Sequence, residues 1–208
     1  MSAAEPVELE LTLCPERRRD AIDVARRVRE LHGDVLDGCE RVQYCSLHTT
    51  AGYLDQGLAR RLEHRRERVE PFLGAFQRLF PHAAGYRHDQ MSERRELSPE
   101  QRAVEPHNAD AHLAFIGSGL QSCVTYLHRP AEPVFFLELD GECDGRLRTR
   151  TTSVVGYREE EVVARARFAV PVSDHPIDSV NLWDRRVGLR EAVDHLLELN
   201  PIRVGRLD

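Results

Sequence analysis

The chain has 208 residues, 41% hydrophobic and 31% charged, with a formal net charge of −6. That length suits one domain with a real core, and the acidic balance gives no electrostatic reason to expect nucleic acid as a partner. All 29 basic residues are arginine, which excludes a lysine Schiff base and a P-loop lysine and suits recognition of phosphate or carboxylate.

The opening MSAAEPVELE has no basic n-region and no apolar h-region, so no secretory signal is expected. No apolar run approaches the roughly 18–20 residues of a membrane span. Cys14, Cys39, Cys45, Cys123 and Cys143 are odd in number and form no CxxC pair. They read as buried thiols in a reducing cytosol.

Residues 7–14, VELELTLC, alternate as a strand with Val7, Leu9, Leu11 and Leu13 on one face, ended by Pro15. Over 20–32, Ile22, Val24, Ala25, Val28 and Leu31 fall at helical spacing, with Asp20 as N-cap and Gly33 as stop. Residues 42–47 read as a second strand running into His48. Residues 58–80 read as helix, broken in two at Pro71. The polar stretch 89–106 has no period and reads as an exposed loop or partly ordered insertion. A short helix is expected over 109–116, ended by Gly117 and Gly119. Strands are expected over 122–127, 134–139 and 146–156, with GECDG at 141–145 turning a hairpin between the last two. One more strand over 162–172 and a helix over 185–199 complete the chain. The order of elements is an α+β pattern.

Three histidines sit at element junctions: His48 in SLHTTAG, His88 in GYRHDQ and His112 in PHNADAHL. Imidazoles from three elements can converge on one metal and leave a position open, although no HxH or HExxH spacing stands behind them. Asn108 and His112 are four apart and share a helix face, while Asp110 points elsewhere. Asn108 reads equally as a helix cap, and Asp110 as a partner of the helix dipole or as an acid that orients a histidine. Thr49 and Thr50 either offer backbone N–H groups to an anion or make an ordinary turn. In FFLELDGECDGRLRTR, Glu138 and Asp140 share a face with Phe136. Their apolar neighbours would favour binding of protons or metal, and Arg146, Arg148 and Arg150 across the hairpin read as a salt-bridge ladder. Cys45 and His48 face opposite sides of a strand, against a nucleophilic pair. No GxSxG elbow, P-loop or dinucleotide fingerprint is present, so no nucleotide cofactor is expected.

HTTAG at 48–52, YRH at 86–88, NADAHL at 108–113 and ELDG at 138–141 with a following arginine resemble, in order and spacing, the YjbQ-like family. The resemblance covers about residues 7–156. It implies an α+β fold with a mixed sheet packed with helices. It makes 1–156 the family domain, with 89–106 inserted, and 157–208 an extension adding a strand and a helix packed on the same domain. It implies a homotrimer in the cytoplasm and a small phosphorylated or anionic substrate. The chemistry it implies is of the thiamine-phosphate synthase type, joining a pyrimidine diphosphate to a thiazole phosphate. His48, His88 and His112 would then hold a divalent metal, zinc or magnesium. Asp110, Glu138, Asp140 and Arg146 would be catalytic, and Thr49, Thr50 and Asn108 would contact substrate. The chain departs from the family where an Asn-Glu pair after HTTA becomes Gln56 and Gly57, and where Gly-Thr-Trp-Gln becomes RPAEP, with Glu132 near the Gln position. Those departures keep two other readings open: a non-catalytic binding or assembly protein that retains the fold, and a metal-dependent hydrolase.

Overall fold

The computed structural model describes residues 5–95, 97–143, 145–171, 182, 184–200, 202 and 205. The chain forms two compact units, residues 1–159 and 160–208. In chain order the first unit carries β1 (Val7–Leu13), β2 (Asp20–Asp23), α1 (Val24–His32), β3 (Arg41–Ser46), β4 (Ala51–Tyr53), α2 (Gln56–Arg61) and α3 (Arg66–Leu79). A 3-10 turn (Arg87–Asp89), α4 (Pro99–Val104), α5 (Ala109–Gly117), β5 (Cys123–Leu127), β6 (Phe135–Glu138), β7 (Glu142–Cys143), β8 (Arg146–Leu147) and β9 (Arg150–Tyr157) follow. The class is α+β, as expected.

The strands build a four-stranded sheet in the order β1-β9-β3-β5, a three-stranded sheet β2-β6-β4 and the ribbon β7-β8. Every ladder among the described residues is antiparallel, where the resemblance implies a mixed sheet. β9 alternates buried and half-buried positions, and Arg150, Thr152, Val154 and Gly156 point inward. The two larger sheets meet through aromatic rings. Tyr53 of β4 lies 5.6 Å from Tyr44 of β3 and 5.5 Å from Phe136 of β6, spacings at which tilted and edge-on rings attract. Val24 and Val28 of α1 and Val69 and Leu73 of α3 close the same core.

Several local expectations give way to tertiary pairing. Asp20 does not cap a helix; it sits in β2 opposite Glu138 of β6, and Asp23 caps α1 by accepting from the Arg26 N–H at 3.0 Å. The helical period of Ile22 to Leu31 had drawn a short strand into the helix. Gly33 ends α1 at φ +64°, as expected. Pro71 lies inside α3 rather than breaking it. Its missing N–H leaves only the carbonyl of exposed Glu67 without a helical partner. The break falls earlier, at Glu63 and His64, both with positive φ.

The polar stretch 89–106 holds α4, started by a reciprocal Ser98–Gln101 capping box with Pro99 in the first turn. The strand expected over 146–156 is interrupted between β8 and β9, and Asp144 of the expected turn lies outside the described residues. The cysteines are not buried: Cys14 and Cys123 are exposed and the other three partly so.

In the second unit, residues 160–171 form no strand. Val162, Val163 and Phe168 are exposed there; the alternation is present, but no described strand of this unit offers a ladder. Val172 lies outside the described residues. The final helix, α6, spans Leu189–Leu199 and starts after Gly188, at φ +72°. No described helix is long and apolar enough to cross a membrane.

Candidate anion-binding site

The site is assembled by strand pairing. β2 runs antiparallel to β6 with Asp20 opposite Glu138, so the arginines just before β2 come to lie beside residues just after β6. The Gly141 N–H donates to the Arg18 carbonyl at 2.6 Å. A Cβ at Gly141 would stand 2.8 Å from the Arg17 carbonyl oxygen and 2.9 Å from Glu138 Cγ, so glycine is what lets the two segments touch.

Three carboxylates and four guanidinium groups fill this junction. Asp110, in the first turn of α5, is fully buried. It accepts from Arg18 at 2.9 Å and Arg19 at 2.8 Å, and its Oδ1 pairs with His82 Nδ1 at 3.2 Å. Asp110 therefore does partner a histidine, but His82 rather than any of the three named ones. Asp140 accepts from the Asn108 amide at 2.8 Å and lies 3.2 Å from Arg148 and 3.7 Å from Arg18. Glu138 is fully buried. It holds Arg150 through both carboxylate oxygens, one contact at 2.9 Å, and accepts the Asp140 N–H at 2.7 Å. Arg150 also donates to the Asp140 carbonyl at 2.8 Å. Arg148 and Arg150 thus reach Asp140 and Glu138, but not as rungs of a cross-strand ladder: β6 pairs with β2 and β4, while β8 pairs with β7 and β9 with β1 and β3. Arg146 is exposed in β8 and has no contact to these acids.

Two of the three histidines come together. The rings of His88 and His112 lie 5.1 Å apart. Asp89 organises this pair: its Oδ1 accepts from the Ala109 N–H at 3.1 Å, which caps α5, and pairs with His88 Nδ1 at 3.0 Å. Asp89 thereby takes the capping task expected of Asn108, whose side chain turns to Asp140 instead. Burial, and then the neighbouring His88, lower the proton affinity of His112.

His48 is held differently. Its Nε2 accepts the Thr151 N–H at 2.9 Å, so in the neutral ring the proton resides on Nδ1. Burial, followed by Arg150, lowers its proton affinity, and the Thr151 N–H occupies the lone pair that a second proton would need. A ring in that state presents no lone pair to a metal. Among the described residues no three His, Cys, Asp or Glu side chains are grouped to hold a metal ion. As arranged, His48, His88 and His112 do not fit the divalent metal that the resemblance implies. Thr50 is buried with its carbonyl on the Leu139 N–H at 3.1 Å, and Thr49 is exposed.

The network has unused polar atoms. Nε of Arg18, Arg19 and Arg148, Oδ1 of Asn108 and Oδ2 of Asp89 are buried without a hydrogen-bond partner. Burial also lowers the proton affinity of Arg19, against the pull of Asp110. An unpaired buried donor is costly, and an anion would satisfy the three arginine Nε groups. Arg18 and Arg19 were not singled out by the sequence reading; the run RRRD before a strand was their only signal. His82 and Asp89 have no spacing signal at all.

No family model matches the sequence, and no relative is found among the curated proteins. Among solved structures, a hypothetical protein from Aeropyrum pernix K1 is similar at 18% identity and a TM-score of 0.50, over 74% of this chain and 99% of that one. The two share a fold. A YbjQ-like protein of unknown function from Sulfolobus solfataricus P2 is similar at 17% identity and a TM-score of 0.48, over 74% of this chain and 99% of that one. An uncharacterized conserved protein of the yjbq/upf0047 family from Clostridium acetobutylicum is similar at 17% identity and a TM-score of 0.46, over 70% and 97%.

Proposed function

We propose that this chain is a divergent YjbQ-like protein that binds a small phosphorylated or otherwise anionic molecule at Arg18, Arg19 and Arg148 and presents it to His88 and His112. The observation that carries the reading is an imbalance. Four guanidinium groups, from Arg18, Arg19, Arg148 and Arg150, face three carboxylates, from Asp110, Glu138 and Asp140. Three of those four keep a buried Nε without a partner. Guanidinium donors in a fixed fork match the oxygens of a phosphate. His112, with lowered proton affinity, is a base at neutral pH, and His88 beside it is oriented through Asp89. Asn108 Oδ1 accepts from a hydroxyl or amine of the ligand.

The motifs HTTAG, YRH, NADAHL and ELDG support the family reading. A transfer of the thiamine-phosphate synthase type would place a diphosphate on these arginines. The reading includes a homotrimer and residence in the cytoplasm. Thermal-shift measurements with inorganic phosphate, pyrophosphate and a panel of sugar and heterocycle phosphates test the binding. Stabilisation by at least one class, lost in Arg19→Ala, is expected. No stabilisation by any of them defeats the reading.

A binding role without turnover is favoured by one further observation. Gln56 is spent on structure, with its amide pairing with the Leu127 backbone at 3.0 Å in both directions. It therefore supplies no acid to the site, and Gly57 has no side chain to do so. Complementation of a thiamine-phosphate synthase-deficient strain separates the two readings. Growth supports transfer; failure with anion binding intact supports binding alone.

A further inference from the structure

The face of β3 and β5 turned away from the core carries two thiols directly opposite each other. Cys45 and Cys123 are register partners in the antiparallel ladder. One step along, the Ser46 N–H donates to the Ser122 carbonyl at 2.6 Å. Hydrogen-bonded and non-hydrogen-bonded pairs alternate along such a ladder, so Cys45 and Cys123 form a non-hydrogen-bonded pair. The Cys45 carbonyl agrees, since it accepts from Thr152 Oγ1 on the β9 side at 2.8 Å. In a non-hydrogen-bonded pair the Cα atoms stand about 4.5 Å apart and the side chains lie on one face. Disulfides span Cα separations of about 4.4–6.8 Å.

Accessibility matches the geometry. Tyr44 and Val124, the neighbours of these cysteines, point into the core. Cys123 is exposed and Cys45 partly so, and neither is in a disulfide.

We propose that Cys45 and Cys123 are an oxidation-sensitive pair that closes to an intramolecular disulfide on meeting a low-molecular-weight disulfide. The Cys123 thiolate attacks one sulfur of the small disulfide, forming a mixed disulfide and releasing the first small thiolate. The Cys45 thiolate attacks the Cys123 sulfur, forming the cross-strand bond and releasing the second. Two protein thiols are oxidised, one small disulfide is reduced to two thiols, and the two protein protons pass to the leaving thiolates. The bond ties edge strand β5 to β3 one residue before Ser46, whose hydroxyl accepts the His48 N–H at 3.2 Å. It therefore acts on the strand end from which His48 departs. This inference does not depend on the anion reading.

The test is incubation of the full chain with oxidised glutathione, alkylation of remaining thiols, digestion without reduction and mass spectrometry. The expected result is loss of two hydrogen masses from the intact chain and a peptide linking Cys45 to Cys123, reversed by dithiothreitol. Cys45→Ser should instead retain a stable glutathione adduct on Cys123, and Cys14→Ser should link as the wild type does. A wild-type chain that stays glutathionylated at Cys123, links elsewhere or between chains, or does not react at these two positions overturns the proposal.

Discussion

Glu138 and Asp140 lie two residues apart on one strand end, yet their surroundings are opposite. Around Glu138 every polar atom is used: both oxygens hold Arg150, and one also accepts the Asp140 N–H. Around Asp140 the partners are half used, since Asn108 Oδ1 and the Nε atoms of Arg18 and Arg148 are buried without a partner. A saturated ion pair positions the backbone and has nothing left for a ligand. An unsaturated one carries a desolvation cost that a ligand can relieve. On the proposed reading the Glu138 side is structural and the Asp140 side holds the anion.

The largest effect should come from the saturated side. Glu138→Ala leaves the Arg150 guanidinium buried and unpaired, and urea denaturation should show a loss of about 3–5 kcal/mol. A loss under about 1 kcal/mol would break the comparison, because Glu138 would then not be structural. On the open side the effect should move from stability to binding. Arg19→Ala should cost little stability and weaken phosphate binding roughly 10- to 100-fold, as expected for a charged hydrogen bond of about 1.5–3 kcal/mol. Calorimetry measures the second quantity and denaturation the first. Asp89→Ala lies between the two sides. Removing a helix cap should cost about 0.5–2 kcal/mol, and it should also release His88, seen as a change in its ring resonances.

Acid should act through the histidines. Burial lowers the proton affinities of His48, His112 and His128 in the folded chain. The unfolded chain therefore takes up protons first as pH falls below about 6.5. Stability contributed by keeping these rings neutral is present above that value and is lost as pH falls toward the lower folded-state values. Tm should decline between about pH 7 and 5, and His112→Gln should flatten part of the decline. The smallest effect is expected from a chain ended at residue 159. Among the described residues the main hydrophobic cluster is drawn from the first unit, so the truncated chain should keep a cooperative melt near that of the full chain.

Patterns that live within one element were legible in the sequence. β1, the start of β3 and α5 all follow from alternation or helical spacing, whereas β6 ends at Glu138 and pairs with β2 and β4 rather than forming the hairpin expected with residues 146–156. What needed two distant segments was not legible. Arg18 and Arg19 reach Asp110 only because β2 pairs with β6, more than a hundred residues away. Asp89 caps a helix that begins 20 residues later. β4 is three residues long, too short for periodicity to register. Residues 162–171 have the alternation of a strand but join no ladder among the described residues. His48 lies two residues beyond the end of β3, and the Thr151 N–H, 103 positions along the chain, decides which ring nitrogen carries the proton.

The most direct test of the central claim is a titration with pyrophosphate, read by the ring resonances of His88 and His112. The account predicts that both shift and saturate together in the wild-type chain, and that the shifts vanish or require far higher concentrations in Arg19→Ala and Arg148→Ala. Unmoved resonances in the wild type, or titration curves identical in both variants, would contradict it.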